Sequence, residues 1–136
     1  MLTPRRIDHV VLTCRDVAAT IRFYTEVLGM REVTFGEGRK ALAFGQQKIN
    51  LHAAGQAGEG PAGNVAAVAA RPMPGSADLC LIVSEPPDVV AAHLAACGVP
   101  VENGPTLRTG ALGPIESVYV RDPDGNLIEL SRYVDD

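Results

Sequence analysis

The feature that most constrains this chain is an order of elements that occurs twice. Ile7 to Cys14 (IDHVVLTC) is a run of β-branched and apolar residues, as a mostly buried strand requires. From Asp16, a good N-cap, apolar residues recur at Val17, Ile21, Tyr24 and Leu28, the spacing of one helical face, and Gly29 supplies the stop. The order then returns. Asp78 to Val83 (DLCLIV) reads as a strand, Pro86-Pro87 opens a helix with Val90, Leu94 and Cys97 on one face, and Gly98 closes it. Gly29 and Gly98 are 69 positions apart, and the same offset carries Ile21 onto Val90, Leu28 onto Cys97 and His9 onto Asp78.

Three short β-type runs follow each helix: 31–35, 40–44 and 48–53 in the first copy, and 99–102, 115–120 and 126–132 in the second. The last runs match as Ile49-Asn50-Leu51 with Ile128-Glu129-Leu130, now at an offset of 79 because the second copy has longer hairpins. The expected fold is therefore α+β, with two paired βαβββ modules forming a cupped mixed sheet. With 136 residues there is enough chain for one core, so a single domain over 1–136 is expected. Module one covers about 5–54, a linker about 55–75 and module two about 76–133. The glycine-, proline- and alanine-rich stretch 54–75 reads as a plain connection, with a lid or an arm across a partner subunit as the alternatives.

A formal charge of −4 and a pI near 5.3 give no electrostatic reason to expect nucleic acid or an anionic membrane as partner. MLTPRRIDHV lacks a long apolar stretch, and no segment approaches the roughly 20 apolar residues that span a bilayer, so a cytoplasmic protein is expected. The unpaired, widely spaced Cys14, Cys80 and Cys97 read as core thiols.

The repeat brings polar residues to equivalent positions: His9 with Asp78, and Asn50 with Glu129; His52, two beyond Asn50, shares its strand face. An imidazole and two carboxylates suit a divalent ion. Glu129 lies in an apolar strand, where an unpaired carboxylate is costly, so it needs a cation or a proton. Each of the others has a plainer explanation. A backbone carbonyl satisfies His9, Asp78 belongs to a turn, and His52 ends a strand at the surface. Asp122 and Asp124 have tight-turn spacing and a structural role, and His93 faces solvent on the second helix. In Gly104 to Gly113 (GPTLRTGALG), Arg108 and Thr109 sit in a mobile hairpin that either grips an anionic substrate or is simply surface.

Ile7-Asp8-His9-Val10, Phe23-Tyr24-Thr25-Glu26-Val27-Leu28-Gly29 and Arg121-Asp122-Pro123-Asp124-Gly125-Asn126-Leu127-Ile128-Glu129-Leu130 resemble, in this order, the vicinal oxygen chelate superfamily of glyoxalase I, fosfomycin-resistance proteins, extradiol dioxygenases and methylmalonyl-CoA epimerase. The KINLH, PGSADLCLI and RTGALGPI segments are similar to those of small glyoxalase-domain-containing proteins without an assigned activity. The resemblance implies paired βαβββ modules, a homodimer, and metal ligation by His9 and Glu129. Two positions depart from the enzymes: Asp78 stands where a histidine is usual, and Asn50 where bacterial-type glyoxalase I has glutamate. Both departures argue against ordinary glyoxalase I, and the lost histidine also argues against an extradiol dioxygenase.

The leading expectation is a metal-dependent enzyme of lyase, isomerase or dioxygenase type. Mn, Fe, Ni or Zn on His9, Glu129 and Asp78 acts as Lewis acid on a small substrate with adjacent oxygens. Glu129 or His52 moves a proton, and Asn50 and Arg108 touch the substrate. The rival is a metal-free binding or resistance protein that holds a small molecule in the same cup.

Overall fold

A computed structural model of the chain describes residues 1–55 and 68–136. Packing divides the chain into two compact units, Met1–Pro74 and Gly75–Asp136. Most of the expected connecting stretch, residues 56–67, lies outside the described residues, and with it the lid and arm alternatives.

The first unit runs β1 (His9–Cys14), α1 (Val17–Arg22) continued by a π-helical turn (Phe23–Val27), β2 (Arg31–Phe35), β3 (Arg39–Phe44) and β4 (Gln47–Ala53). Its sheet has the order β1-β4-β3-β2, with β1 parallel to β4 and the other pairs antiparallel. Asp16 caps the helix as its residue type predicts, accepting from the Ala19 amide at 3.1 Å. One sheet face contributes Leu12, Cys14, Leu42, Ile49 and Leu51 to the core, and the helical segment contributes Thr20 and Tyr24. The helix does not hold one α-helical register to its end. It widens over Phe23–Val27, Tyr24 becomes fully buried, and its carbonyl accepts from the Met30 amide at 2.9 Å. Gly29, at φ +73°, then turns the chain into β2.

The second unit repeats the plan with β5 (Asp78–Ile82), α2 (Pro87–Ala96), β6 (Asn103–Thr109), β7 (Pro114–Arg121) and β8 (Leu127–Tyr133), in the order β5-β8-β7-β6. Helix α2 packs Val90 and Leu94 against the sheet face that carries Val118, Val120, Ile128 and Leu130. The strand registers bear out the repeat offsets. His9 pairs with Lys48 and Val11 with Asn50 in one sheet; Asp78 pairs with Leu127 and Cys80 with Glu129 in the other.

Three expectations are corrected. Residues 99–102 are not a strand; the strand is Asn103–Thr109, so Arg108 sits on β6 and not in a mobile hairpin, whose turn is confined to 110–113. The Gly104-Pro105 pair suggested a loop. It lies instead at a register shift between Asn103 and Thr106, where a Cβ on Gly104 would run into the Ser117 carbonyl oxygen. Glycine here allows close strand approach; it does not end the strand. Of the cysteines only Cys14 is a core thiol, while Cys80 and Cys97 are exposed, because alternation along β5 turns Cys80 to the face opposite α2 and Cys97 lies at the helix end. His93 is exposed as expected, with Nε2 3.6 Å from Cys97 Sγ. Among the described residues no helix is long and apolar enough to cross a membrane.

Candidate functional site

The period of two along a strand sends one set of side chains to the core and the other to the opposite face. In the second unit that opposite face is polar. Register puts Cys80 (β5), Glu129 (β8), Tyr119 (β7) and Asn103 (β6) in one row, with Asp78, Leu127 and Arg121 in the row beside it. All of these but Cys80 line a pocket of about 530 Å³, to which Glu102 and Arg108 also contribute. The tight Asp122–Asn126 turn holds β7 and β8 in this register. Asp122 Oδ1 accepts from the amides of Asp124 and Asn126 at 2.9 Å each, and Asp122 Oδ2 accepts from Asn126 Nδ2 at 2.8 Å. Asn126 Oδ1 in turn accepts from the Ala77 amide at 2.9 Å, tying the turn to the start of β5. Asp122 is thus structural, as its spacing predicted.

Glu129 is half-buried, and its Oε2 accepts from Ser117 Oγ at 2.5 Å and from Ser131 Oγ at 3.5 Å. Ser117 and Ser131 are buried and lie 2.7 Å apart, and Ser131 Oγ is 3.3 Å from Cys80 Sγ. Burial pushes the Cys80 thiol above its ordinary pKa and the charges of Glu129 and Asp78 add to this, while the Ser131 contact opposes it. The two guanidiniums of the pocket differ. Arg121 is paired with Glu102 through two hydrogen bonds of 2.6 and 3.2 Å, which hold the Glu102 carboxyl below the usual range. Arg108 donates from Nε to the Tyr119 hydroxyl at 3.0 Å, with its guanidinium carbon 5.6 Å from the Tyr119 ring centre.

The first unit has a corresponding face of different character. His9, Val11 and Thr13 on β1 stand opposite Lys48, Asn50 and His52 on β4. His9 is exposed, with Nδ1 2.8 Å from Asp8 Oδ2, and this hydrogen bond is the largest cause of the lowered Asp8 pKa. Asn50 is 5% exposed, and its Oδ1 is buried without a hydrogen-bond partner among the described residues. Burial, and then the Arg39 charge, lower the His52 pKa and favour the neutral imidazole.

The predicted residues thus fall on two faces: Asp78, Arg108 and Glu129 line one pocket, and His9, Asn50 and His52 share the polar face of the other sheet. The donor types suit a divalent ion, and among the described residues no group of three or more His, Cys, Asp or Glu side chains is placed to hold a metal. Sequence reasoning missed Cys80, Glu102, Ser117, Tyr119, Arg121 and Ser131. Pairing β7 with β8 across the Asp-Pro-Asp-Gly turn would have found Tyr119 and Ser117, since alternation from Arg121 puts both on the Glu129 face. Nothing local marks the Glu102–Arg121 pair.

Among known proteins, the chain is 54% identical over 129 residues to Virulence protein STM3117 of Salmonella typhimurium, covering 95% of this chain and 85% of that one. It is 52% identical over 134 residues to Glyoxalase domain-containing protein RDO1 of Mycosarcoma maydis, covering 98% and 72%. The crystal structure of the Salmonella protein superposes with a TM-score of 0.88 at 52% identity over 98% of this chain and 100% of that one. Lactoylglutathione lyase from Agrobacterium tumefaciens (24% identity, TM-score 0.73, 96% and 95% covered) and the antibiotic binding protein TnmS3 from a Streptomyces (21%, 0.70, 98% and 99%) share the fold alone. The model of the Glyoxalase/Bleomycin resistance protein/Dioxygenase superfamily matches residues 6–130. With two βαβββ units in matching register and this match along nearly the whole chain, the protein belongs to that superfamily, the vicinal oxygen chelate proteins.

Proposed function

We propose that the chain is a small-molecule enzyme of this superfamily, with an oxygen-bearing substrate on the polar face of the second unit and Glu129 as the acting carboxylate. The pocket of about 530 Å³ carries the reading, because it gathers ionisable groups on a strand face whose reverse side is core. Ser117 holds Glu129 Oε2 at 2.5 Å, so the carboxylate is oriented before a substrate arrives, as a group that accepts a proton should be. His52, favoured as the neutral imidazole, is a second proton-handling candidate. Asn50 and Arg108 are assigned to substrate contact. A homodimer acting in the cytoplasm belongs to the same proposal.

The experiment is turnover of a panel of small oxo and hydroxy acids followed by NMR, with lyase, isomerase and dioxygenase products all scored. A substrate of the wild type should lose about 100-fold or more in rate in Glu129→Gln. Turnover undiminished in that variant sinks the assignment. Metal dependence is a separate part of the proposal, with His9, Asp78 and Glu129 as the assigned ligands. It is tested by metal content after exposure to Mn²⁺, Fe²⁺, Ni²⁺ or Zn²⁺. Stoichiometric metal that disappears in His9→Ala and in Glu129→Ala supports the assignment, and metal retained by both variants ends it.

A second reading, metal-free sequestration of a small molecule, is favoured by Asp78 and Asn50, which depart from the residues that metal-using members carry at these positions. The fold does not choose between the two, since it serves proteins named for a lyase activity and for antibiotic binding. Ligand-induced thermal stabilisation that EDTA leaves unchanged, with no turnover, would favour sequestration.

A further inference from the structure

We infer that the pocket of the second unit takes a small hydroxycarboxylic acid, with its one carboxylate in a cradle made by Arg108 and Tyr119 and its hydroxyl on Glu129. This rests on the reading of that pocket as the functional site. The direction of each hydrogen bond carries the argument. A guanidinium has donors and no acceptor, so in the 3.0 Å contact between Arg108 Nε and Tyr119 the phenol oxygen accepts, and its own hydrogen stays available. Arg108 Nη1 is occupied by Thr106 Oγ1 and the Leu107 carbonyl, each at 3.1 Å. Nη2 has no partner among the described residues, and Arg108 forms no ion pair there, unlike Arg121, which Glu102 neutralises. Arg108, held at three points, and Tyr119 thus present two unused donor groups, Nη2 and the Tyr119 hydroxyl, to the pocket they line. A cationic donor group beside a neutral hydroxyl donor matches the two oxygens of a carboxylate.

The rest of the lining narrows the ligand class. Asp78, Glu102 and Glu129 set three carboxylates against the two guanidiniums, so a doubly charged phosphate is repelled more than a singly charged carboxylate. Glu129 keeps Oε1 without a partner among the described residues, while Oε2 is taken by Ser117. It faces Tyr119 directly across the β7–β8 ladder, where paired Cβ atoms lie about 4.5–5.5 Å apart. A free acceptor beside two free donors is complementary to a molecule carrying a hydroxyl close to its carboxylate.

Calorimetric titration of the full chain with lactate tests this, with lactamide, acetate and inorganic phosphate as comparators. Lactate should bind saturably, and lactamide, acetate and phosphate each about tenfold more weakly or worse. Arg108→Gln and Tyr119→Phe should each weaken lactate about tenfold; both are mild changes, and circular dichroism confirms their folding. Three results overturn the proposal: no lactate binding by the wild type up to about 50 mM, phosphate binding as well as lactate, or affinity unchanged in both variants. Leu127→Trp, which fills the pocket, separates the two levels of inference. Lactate binding lost there but unchanged in Arg108→Gln and Tyr119→Phe removes the cradle and keeps the pocket. Binding that survives Leu127→Trp removes the pocket reading as well.

Discussion

The two units share one topology and one register between their first and last strands yet present opposite chemistry on their polar faces. On the first sheet the row that pairs Val11 with Asn50 ends in a buried amide, flanked along β4 by Lys48 and His52. On the second the equivalent row pairs Cys80 with Glu129, a half-buried carboxylate held by two serine hydroxyls, with Asp78 in the next row. Strand pairing decides which positions share a face, and between the first and last strands it is the same in both copies. Substitution at those positions decides what the face can bind. A carboxylate at position 129 is tolerable because Ser117 and Ser131 stand beside it; at position 50 the site is more closed, and an uncharged amide is cheaper to bury.

The comparison can be broken at its base by removing the equivalent core side chains, Ile49 (1% exposed) and Ile128 (0%). Ile49→Ala and Ile128→Ala should each cost about 2–5 kcal/mol in urea denaturation. A loss below about 1 kcal/mol in either would show that the two sheets are not equally packed. Glycines come next. Gly104→Ala should cost about 3 kcal/mol, because φ is +105° and the new Cβ would meet the Ser117 carbonyl. Gly29→Ala, also at positive φ but with open space around the new Cβ, should cost about 1 kcal/mol. Equal melting temperatures for the two variants would refute the close-approach role of Gly104.

Asn50→Asp sharpens the contrast by giving the first face the charge the second carries. It should lose about 2 kcal/mol at pH 7, and recover part of that on acidification as the new carboxyl protonates. A variant as stable as wild type at every pH would mean that site 50 already offers a charge partner. The smallest effect is expected at His52, whose folded-state pKa lies below its ordinary value. The unfolded chain then binds that proton more readily, so the native state gains stability as pH rises and loses it as pH falls below about 6.5. His52→Gln should flatten this part of the melting profile, and an unchanged slope would count against it.

Much of the site could be read from the chain because polar residues interrupted apolar strands at repeated offsets: His9 with Asp78, and Asn50 with Glu129. Arg108 stands out as a cation in the sequence but its strand does not, since glycine and proline beside it carry the same signal whether they make a turn or a register shift. Tyr119 and Ser117 stayed hidden because their partners Arg108, Glu129 and Ser131 come from other strands.

By itself the sequence determined the doubled βαβββ plan, the helix stops at Gly29 and Gly98, and the positions that share the first-strand and last-strand faces. Those follow from periodicity and backbone preference, which are local. Only the tertiary structure decided that Glu129 is met by hydroxyls, that Arg121 is neutralised by Glu102, and that Arg108 keeps donors to spare beside Tyr119. Such pairings depend on which strands lie side by side and on the shift at Gly104, which no local pattern encodes.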